Sequence, residues 1–283
     1  MQIEIIKSVQ TIISPFWDVF FQIVTMTGEE SFYIIAAAII FWCVNKKFGY
    51  KLGFALLTST ITNIILKDMI NAARPIGVPG IRSLRLETAT GQSFPSGHTQ
   101  GVTTFWISCI IKVRRKWIYI VGILAITLVS ISRLYLGLHY PIDVIGGIII
   151  GIICVFISNY IFDYAEVTKK SWILMIIIIP TIIGMIFFRE KAYYTIAGTV
   201  LGFYIGYILE SKYVQYEVRN TIIKQLIKLV FGLVILLTLK SILKEILPIN
   251  IFSDFFRYIV IGLWITVGAP CIFKKFAVGH DKK

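Results

Sequence analysis

Apolar runs about twenty residues long recur from one end of the chain to the other, separated by short polar joints. Nine of them, at 31–46, 52–70, 97–112, 117–133, 142–163, 171–188, 193–210, 222–241 and 254–273, approach the roughly 20 residues that a helix needs to cross a bilayer core of about 30 Å. Inside hydrocarbon the backbone has to satisfy its own N–H and C=O groups, which a helix does within one segment. The expected fold class is therefore all-α: a polytopic transmembrane helical bundle of about nine spans, with five or six forming the core that carries the site. Of the 283 residues, 57% are hydrophobic and only 15% charged, against about 25% charged in soluble domains.

Segment 13–27 is rich in Phe and Trp but is broken by Pro15 and Asp18 and followed by Gly28. It reads as an interfacial or re-entrant helix, in an N-terminal segment 1–30. Residues 31–163 form the expected core, and 164–283 add further transmembrane helices. The N-terminus carries Glu4 and Lys7 and has no small-residue cleavage site, so no removable signal peptide is expected.

The net charge of +13 comes from 28 Lys and Arg against 15 Asp and Glu. These cations cluster in the joints, as in Asn45-Lys46-Lys47 and Lys112-Val113-Arg114-Arg115-Lys116, which is the pattern of topology determinants and not of a nucleic-acid-binding face. Nine spans place joints 1–2, 3–4, 5–6 and 7–8 and the C-terminus on one side, with 16 cations: Lys46, Lys47, Lys51, Lys112, Arg114, Arg115, Lys116, Lys169, Lys170, Lys212, Arg219, Lys224, Lys274, Lys275, Lys282 and Lys283. The positive-inside bias makes that side cytoplasmic. The long loop 71–96 and the loop 134–141 then face the periplasm or exterior. Runs of Ile with Lys as the usual cation are the composition of an AT-rich bacterial gene, so a bacterial cytoplasmic membrane is expected. Cys43, Cys109, Cys154 and Cys271 lie singly in apolar runs, which points to neither disulfides nor structural zinc.

Three polar strings interrupt this background, all at joints that share the outer side. They are Lys67 through Arg74-Pro75, then Phe94-Pro95-Ser96-Gly97-His98, then Ser132-Arg133 through His139 to Asp143. Lys67, Arg74 and Arg133 are three cations at span ends in a low-dielectric slab, and a phosphate suits them, since Arg offers a planar fork and Lys a point charge. Pro95-Ser96-Gly97 leads into a span, so its N–H groups sit at a helix N-terminus that favours an anion. His98 follows in the first turn, placed to protonate a leaving oxygen. His139 and Asp143 are four residues apart, and a carboxylate there can hold one imidazole nitrogen while the other acts as nucleophile or base. Singly, each string has a plainer reading: snorkelling cations, a turn with its cap, an interface histidine. Ionisable groups gathered within a membrane instead point to function. The third histidine, His280, reads as part of a solvated tail, and Glu29-Glu30 as a cap on the helix that follows in preference to a contact with substrate.

These strings resemble the three signature motifs of the type-2 phosphatidic acid phosphatase superfamily: Lys, six residues, Arg-Pro; Pro-Ser-Gly-His; and Ser-Arg, five residues, His, three residues, Asp. All eleven specified positions are filled, within roughly 31–163. The resemblance implies that His139 attacks phosphorus with help from Asp143, that His98 protonates the leaving group, and that Lys67, Arg74, Ser96, Gly97 and Arg133 bind phosphate oxygens. It implies no metal and no cofactor. Four spans beyond residue 163 are similar in topology to the glucose-6-phosphatase and sphingosine-phosphate phosphatase branches.

The expected function is hydrolysis of a lipid phosphate monoester or diphosphate, with an isoprenyl diphosphate, a phosphatidate-type lipid and a sphingoid phosphate as candidate substrates. The expected partners are that substrate and membrane lipids, without nucleic acid. A phosphotransferase or a sugar-phosphate phosphatase of the same superfamily is the alternative, and an anion transporter is the alternative from another class. The same motifs occur in soluble vanadate-dependent haloperoxidases, so vanadate is expected to inhibit.

Overall fold

Leu, Ile, Val and Ala fill the apolar runs, and the helices begin and end close to where hydropathy places them. The computed structural model describes residues 1–277; the tail with His280, Lys282 and Lys283 lies outside the described residues. In chain order the helices are α1 (Gln2–Val9), α2 (Pro15–Met26), α3 (Glu30–Ile39), α4 (Lys46–Ile70), α5 (Gly97–Val113), α6 (Lys116–Tyr135), α7 (Pro141–Thr168), α8 (Met175–Gly184), α9 (Lys191–Leu209), α10 (Ile222–Ile246), α11 (Ile251–Leu263) and α12 (Ala269–Ala277). No strand occurs among the described residues. The chain is an all-helical, multi-pass membrane protein.

Six elements are long and apolar enough to cross a bilayer: α4, α6, α7, α9 with its continuation to Val214, α10, and Ile251–Lys275. The pair Pro15–Met26 and Glu30–Val44 meets the same requirement only when the two are taken together, and it is bent by 50°, the form of a broken span or a re-entrant loop. Segment 13–27 and the expected span 31–46 are thus two arms of one broken element. Ser14 caps the first arm by accepting from the Trp17 N–H, and Pro15 occupies its first turn, where a missing N–H costs nothing. Two other expected spans fall short of the count of nine for physical reasons. Helix α5 has 17 residues and buries Thr99, Gln100, Thr103, Thr104 and Ser108. Helix α8 has 10 residues with Pro180 inside, and proline there removes a hydrogen bond and crowds the preceding turn.

The described residues divide into two compact units. The first comprises 1–33 and 58–157. At its centre a polar layer ties α5 to the C-terminal part of α4: Gln100 Nε2 donates to the Ser59 carbonyl at 2.7 Å, Thr104 Oγ1 to Ser59 Oγ at 2.9 Å, and Asn63 Nδ2 to Gln100 Oε1 at 2.8 Å. Buried polar atoms that pair this way escape the cost of burial unsatisfied. On another side α7 approaches α5 through glycines. A Cβ on Gly147 would lie 2.8 Å from the Ser96 carbonyl oxygen, and one on Gly151 would lie 2.9 Å from that of Gln100. This close approach carries the start of α7, with Asp143, to the start of α5.

The second unit comprises 34–57 and residues from Ser158 onward. Its densest seam is α9 against α11. Gly198, Gly202 and Gly206 recur every four residues and face the Phe255 and Ile259 carbonyls and the Thr266 hydroxyl, at 2.2, 2.3 and 1.8 Å from a hypothetical Cβ. Small residues at this spacing let membrane helices meet backbone to backbone. Glu210 is fully buried and satisfied: it accepts from Lys46 Nζ at 2.8 Å, Tyr50 OH at 3.0 Å and the Tyr216 N–H at 2.8 Å.

Candidate active site

Every residue singled out from the three polar strings lies in the first unit. Helix α4 ends at Ile70, just past Lys67, and Asn71 takes a left-handed conformation (φ 51°) that turns the chain out of the helix. The loop 71–96 then folds back on the cations. Arg74 donates from Nε to the Gly91 carbonyl at 2.9 Å and from Nη2 to the Thr90 carbonyl at 2.9 Å. Lys67 Nζ donates to the Gln92 carbonyl. The Ser93 N–H reaches back to the Ala72 carbonyl at 2.8 Å.

Helix α5 opens at Gly97, with Ser96 at its N-cap. Ser96 is fully buried; its hydroxyl pairs with Thr99 Oγ1 at 3.1 Å, and its N–H donates to the Asp143 carbonyl at 3.0 Å. The last bond joins the second string directly to the third. Between α6 and α7 the chain turns at Gly137, whose φ of +65° suits glycine and where a Cβ would sit 2.3 Å from the Arg82 carbonyl oxygen. That turn lifts His139 into the cluster.

His139 is 1% exposed and Asp143 2%. Arg74 Nη1 lies 3.0 Å from His139 Nε2. A guanidinium only donates, so Nε2 accepts, and the imidazole proton sits on Nδ1, facing Asp143 Oδ2 at 3.4 Å. Asp143 Oδ2 also accepts from Ser93 Oγ at 2.5 Å and from the Tyr140 N–H at 2.8 Å. Burial, reinforced by the charges of Arg133, Arg74 and Lys67, holds the His139 pKa well below the ordinary imidazole value. The ring is neutral at neutral pH, and its Nε2 lone pair is that of a nucleophile or base.

Arg133 is fully buried near the end of α6. Its Nη1 donates to Thr25 Oγ1 at 2.9 Å, while Nε and Nη2 have no partner within the protein. His98 Nε2 is buried and also without a partner. Donors left in this state ask for an acceptor. With the N-terminus of α5, whose first N–H groups are free of helical partners, they are groups of the kind that take an oxyanion. Among the described residues, no group of three or more His, Cys, Asp or Glu side chains is placed to hold a metal.

The structure brings together Lys67, Arg74, Ser96, His139 and Asp143 by direct contacts or shared carbonyl partners. His98 stands in the first turn of α5 two residues after Ser96, and Arg133 near the end of α6, six residues before His139. Sequence reasoning missed Ser93 and Thr25, because a hydroxyl in a loop or on an aromatic helix carries no signal until its partner, 50 or 108 positions away, is known. Glu29, directly before α3, has a further partner that the sequence did not show. The carboxylate forms an ion pair with Arg85 at 2.8 Å, leaving Glu30 as the acid in the first turn of α3.

Two family profiles match the chain. The PAP2 superfamily profile covers residues 48–166, and the profile for the transmembrane extension of PAP2 superfamily phosphatases covers 194–281. Among curated relatives, undecaprenyl-diphosphatase of Sulfolobus acidocaldarius is 29% identical over 143 residues, covering 50% of this chain and 69% of that one. A probable sphingosine-1-phosphate phosphatase of Dictyostelium discoideum is 28% identical over 176 residues, covering 58% of this chain and 43% of that one, so the likeness spans under half of the relative. The crystal structure of LpxE from Aquifex aeolicus superposes with a TM-score of 0.51 at 27% identity, covering 56% of this chain and 94% of that one. With one profile over the cradle of Lys67, Arg74, Ser96, Arg133 and His139 and a second over the helices beyond it, the chain belongs to the PAP2 superfamily as a membrane phosphohydrolase.

Proposed function

We propose that this protein hydrolyses a phosphate monoester or diphosphate of a lipid through a phosphohistidine on His139, with the site on the non-cytoplasmic side of the membrane. His139 Nε2 attacks phosphorus, the bond from phosphorus to the leaving oxygen breaks, and His98 gives that oxygen its proton. Water, deprotonated by the same His98, then attacks the phosphohistidine and releases inorganic phosphate. Arg133, Arg74, Lys67, Ser96 and the N–H groups opening α5 at Gly97 hold the equatorial oxygens, where charge builds in the transition state. Asp143 keeps the proton on Nδ1 and stabilises the ring as positive charge develops on it.

The observation that carries this reading is that three buried nitrogens lack partners while one nucleophile is masked. Arg133 Nε and Nη2 and His98 Nε2 are buried without partners, while His139 Nε2 is masked by Arg74 Nη1 at 3.0 Å. An arriving phosphate meets all of these needs at once. It supplies oxygens to Arg133 and draws Arg74 off the histidine, which exposes the nucleophile only when substrate is bound.

A lipid substrate is supported by the activities after which the relatives are named and by a site built among apolar helices, which an amphiphile reaches from the bilayer. The outward orientation rests on the cations that flank the core helices on the opposite side, Lys46, Lys47 and Lys51 at the start of α4 and Lys112, Arg114, Arg115 and Lys116 around the joint of α5 and α6.

The test is phosphate release across prenyl diphosphates, glycerolipid phosphates, sphingoid phosphates and sugar phosphates, with His139→Ala as control. Release from the best lipid should fall by about 10³-fold or more in the variant, with the protein still folded in detergent, and vanadate should inhibit the unmodified enzyme. Retained release in His139→Ala, or indifference to millimolar vanadate, overturns the reading. Phosphorylation of an added alcohol in place of phosphate release would make the protein a phosphotransferase.

A further inference from the structure

The N-terminal broken element lies outside both regions matched by family profiles, 48–166 and 194–281, yet its break touches the site at three points. Thr25 Oγ1 accepts from Arg133 Nη1 at 2.9 Å, and both side chains are completely buried. Glu29 pairs with Arg85 at 2.8 Å. Gly28 lies against His98 itself: a Cβ there would sit 3.2 Å from His98 Cβ, 3.0 Å from Val129 Cγ1 and 3.2 Å from the Thr25 carbonyl oxygen.

Gly28 is not among the residues with positive φ, so its backbone conformation does not demand glycine. Its neighbours do. Thr27, Gly28 and Glu29 donate their N–H groups to the carbonyls of Val24, Thr25 and Met26, which makes the break a hydrogen-bonded turn with little room to shift. Any added atom is therefore pushed toward α5 and α6, and the nearest groups it meets there are the Cβ of His98 and the methyl of Val129. The imidazole is anchored poorly on its own account, since its Nε2 has no partner. The ring's position is set by what backs it.

We propose that the helix break at 27–29 is a positioning element for the two site groups that face it: Gly28 fixes where His98 presents Nε2 to the leaving oxygen, and Thr25 fixes the guanidinium of Arg133 on the phosphate side. Neither residue touches substrate. The inference rests on the reading of His98 as the leaving-group acid, and it adds a wall that the superfamily core alone does not supply.

Leaving-group dependence separates this role from a merely structural one. An alkoxide needs a proton as it departs, whereas 4-nitrophenolate departs without one, so a misplaced acid harms only the first. In Gly28→Ala, kcat/KM, which reads only the steps up to the phosphohistidine, should fall about tenfold or more for the best lipid phosphate monoester of the panel and stay within about twofold for 4-nitrophenyl phosphate. Val129→Ala in the Gly28→Ala background removes the 3.0 Å contact, gives the new methyl somewhere to go, and should restore part of the lipid activity. Thr25→Val should lower both substrates alike, because it loosens the phosphate fork.

Should Gly28→Ala fail to accumulate in membranes, Val129→Ile presses on the same contact from α6 and should show the same selectivity. Equal losses on the two substrates, or none, in the variant that folds overturn the proposal, provided that His98→Ala is itself selective for the lipid. If His98→Ala also harms both substrates equally, the assignment of His98 as acid fails instead.

Discussion

Ser93 holds Asp143 by a hydrogen bond of 2.5 Å, and the Tyr140 N–H holds the same oxygen at 2.8 Å. Two fixed donors leave that carboxylate little freedom except to face His139 Nδ1. Removing one of them in Ser93→Ala should lower kcat by about ten- to a hundredfold, the equivalent of the roughly 1.5–3 kcal/mol carried by a hydrogen bond to a charged group. KM should change little, and Ser93→Thr, which keeps the hydroxyl, should recover part of the rate. A loss confined to KM would place Ser93 on the substrate instead. The pH dependence follows from His139. Its folded pKa is depressed by burial first and then by Arg133, Arg74 and Lys67, so protonation of the nucleophile sets in well below the ordinary value of about 6.5. Arg74→Gln takes away one repelling charge and so raises that pKa. The acid limb of kcat/KM should move to higher pH in the variant, and a limb that stays put or moves lower would remove His139 from its control. Lys67, Arg74, Ser96, His98, Arg133, His139 and Asp143 were all legible as charge or hydroxyl stranded at the ends of apolar runs. Ser93, Thr25 and Gly28 were not, because their roles are set by contacts across the fold and their residue types are unremarkable in a loop or a turn.

Among the elements, the long apolar helices α4, α6, α7 and α10 were readable because lipid imposes one requirement on every residue of a span. What hydropathy could not read is what a helix does when its inner face is polar or its middle is interrupted. Helix α5 scores poorly because Thr99, Gln100, Thr103, Thr104 and Ser108 face protein and not lipid, and that same polarity ties it to Ser59 and Asn63 beside the site. The broken pair α2–α3 looked like two unrelated segments, since the Thr27-Gly28-Glu29 turn that joins them is meaningful only against His98 and Arg85. Glycines were invisible for a related reason: their function is what they leave out. Gly202 in α9 sits where a Cβ would be 2.3 Å from the Ile259 carbonyl oxygen of α11. Gly202→Val should therefore force the helices apart and cost about 1–3 kcal/mol or more, measured as a lower thermal unfolding midpoint in detergent. An unchanged midpoint would mean that the seam does not hold the second unit together.

For the molecule as a whole, the proposed orientation turns on which cations are available to the membrane field. In the loop 71–96, Arg74 spends its donors on the carbonyls of Thr90, Gly91 and Leu138, Arg82 pairs with Asp18, and Arg85 pairs with Glu29. Those charges are neutralised or committed within the protein. At the far end of α5, Lys112, Arg114, Arg115 and Lys116 are exposed. A helix of 17 residues is about 25 Å long, which sets the two groups of charge that far apart. Uncommitted cations are the ones held back from translocation, so the proposed orientation has the Arg114–Lys116 joint in the cytoplasm and the His98 end of α5 outside. With Cys43, Cys109, Cys154 and Cys271 replaced by Ser, a thiol placed at the exposed Glu87 should react with a membrane-impermeant maleimide in intact cells, and one placed at Arg115 should react only after lysis. The opposite pattern would turn the protein over and make its substrate a cytoplasmic-leaflet lipid, while leaving the chemistry at His139 unaltered.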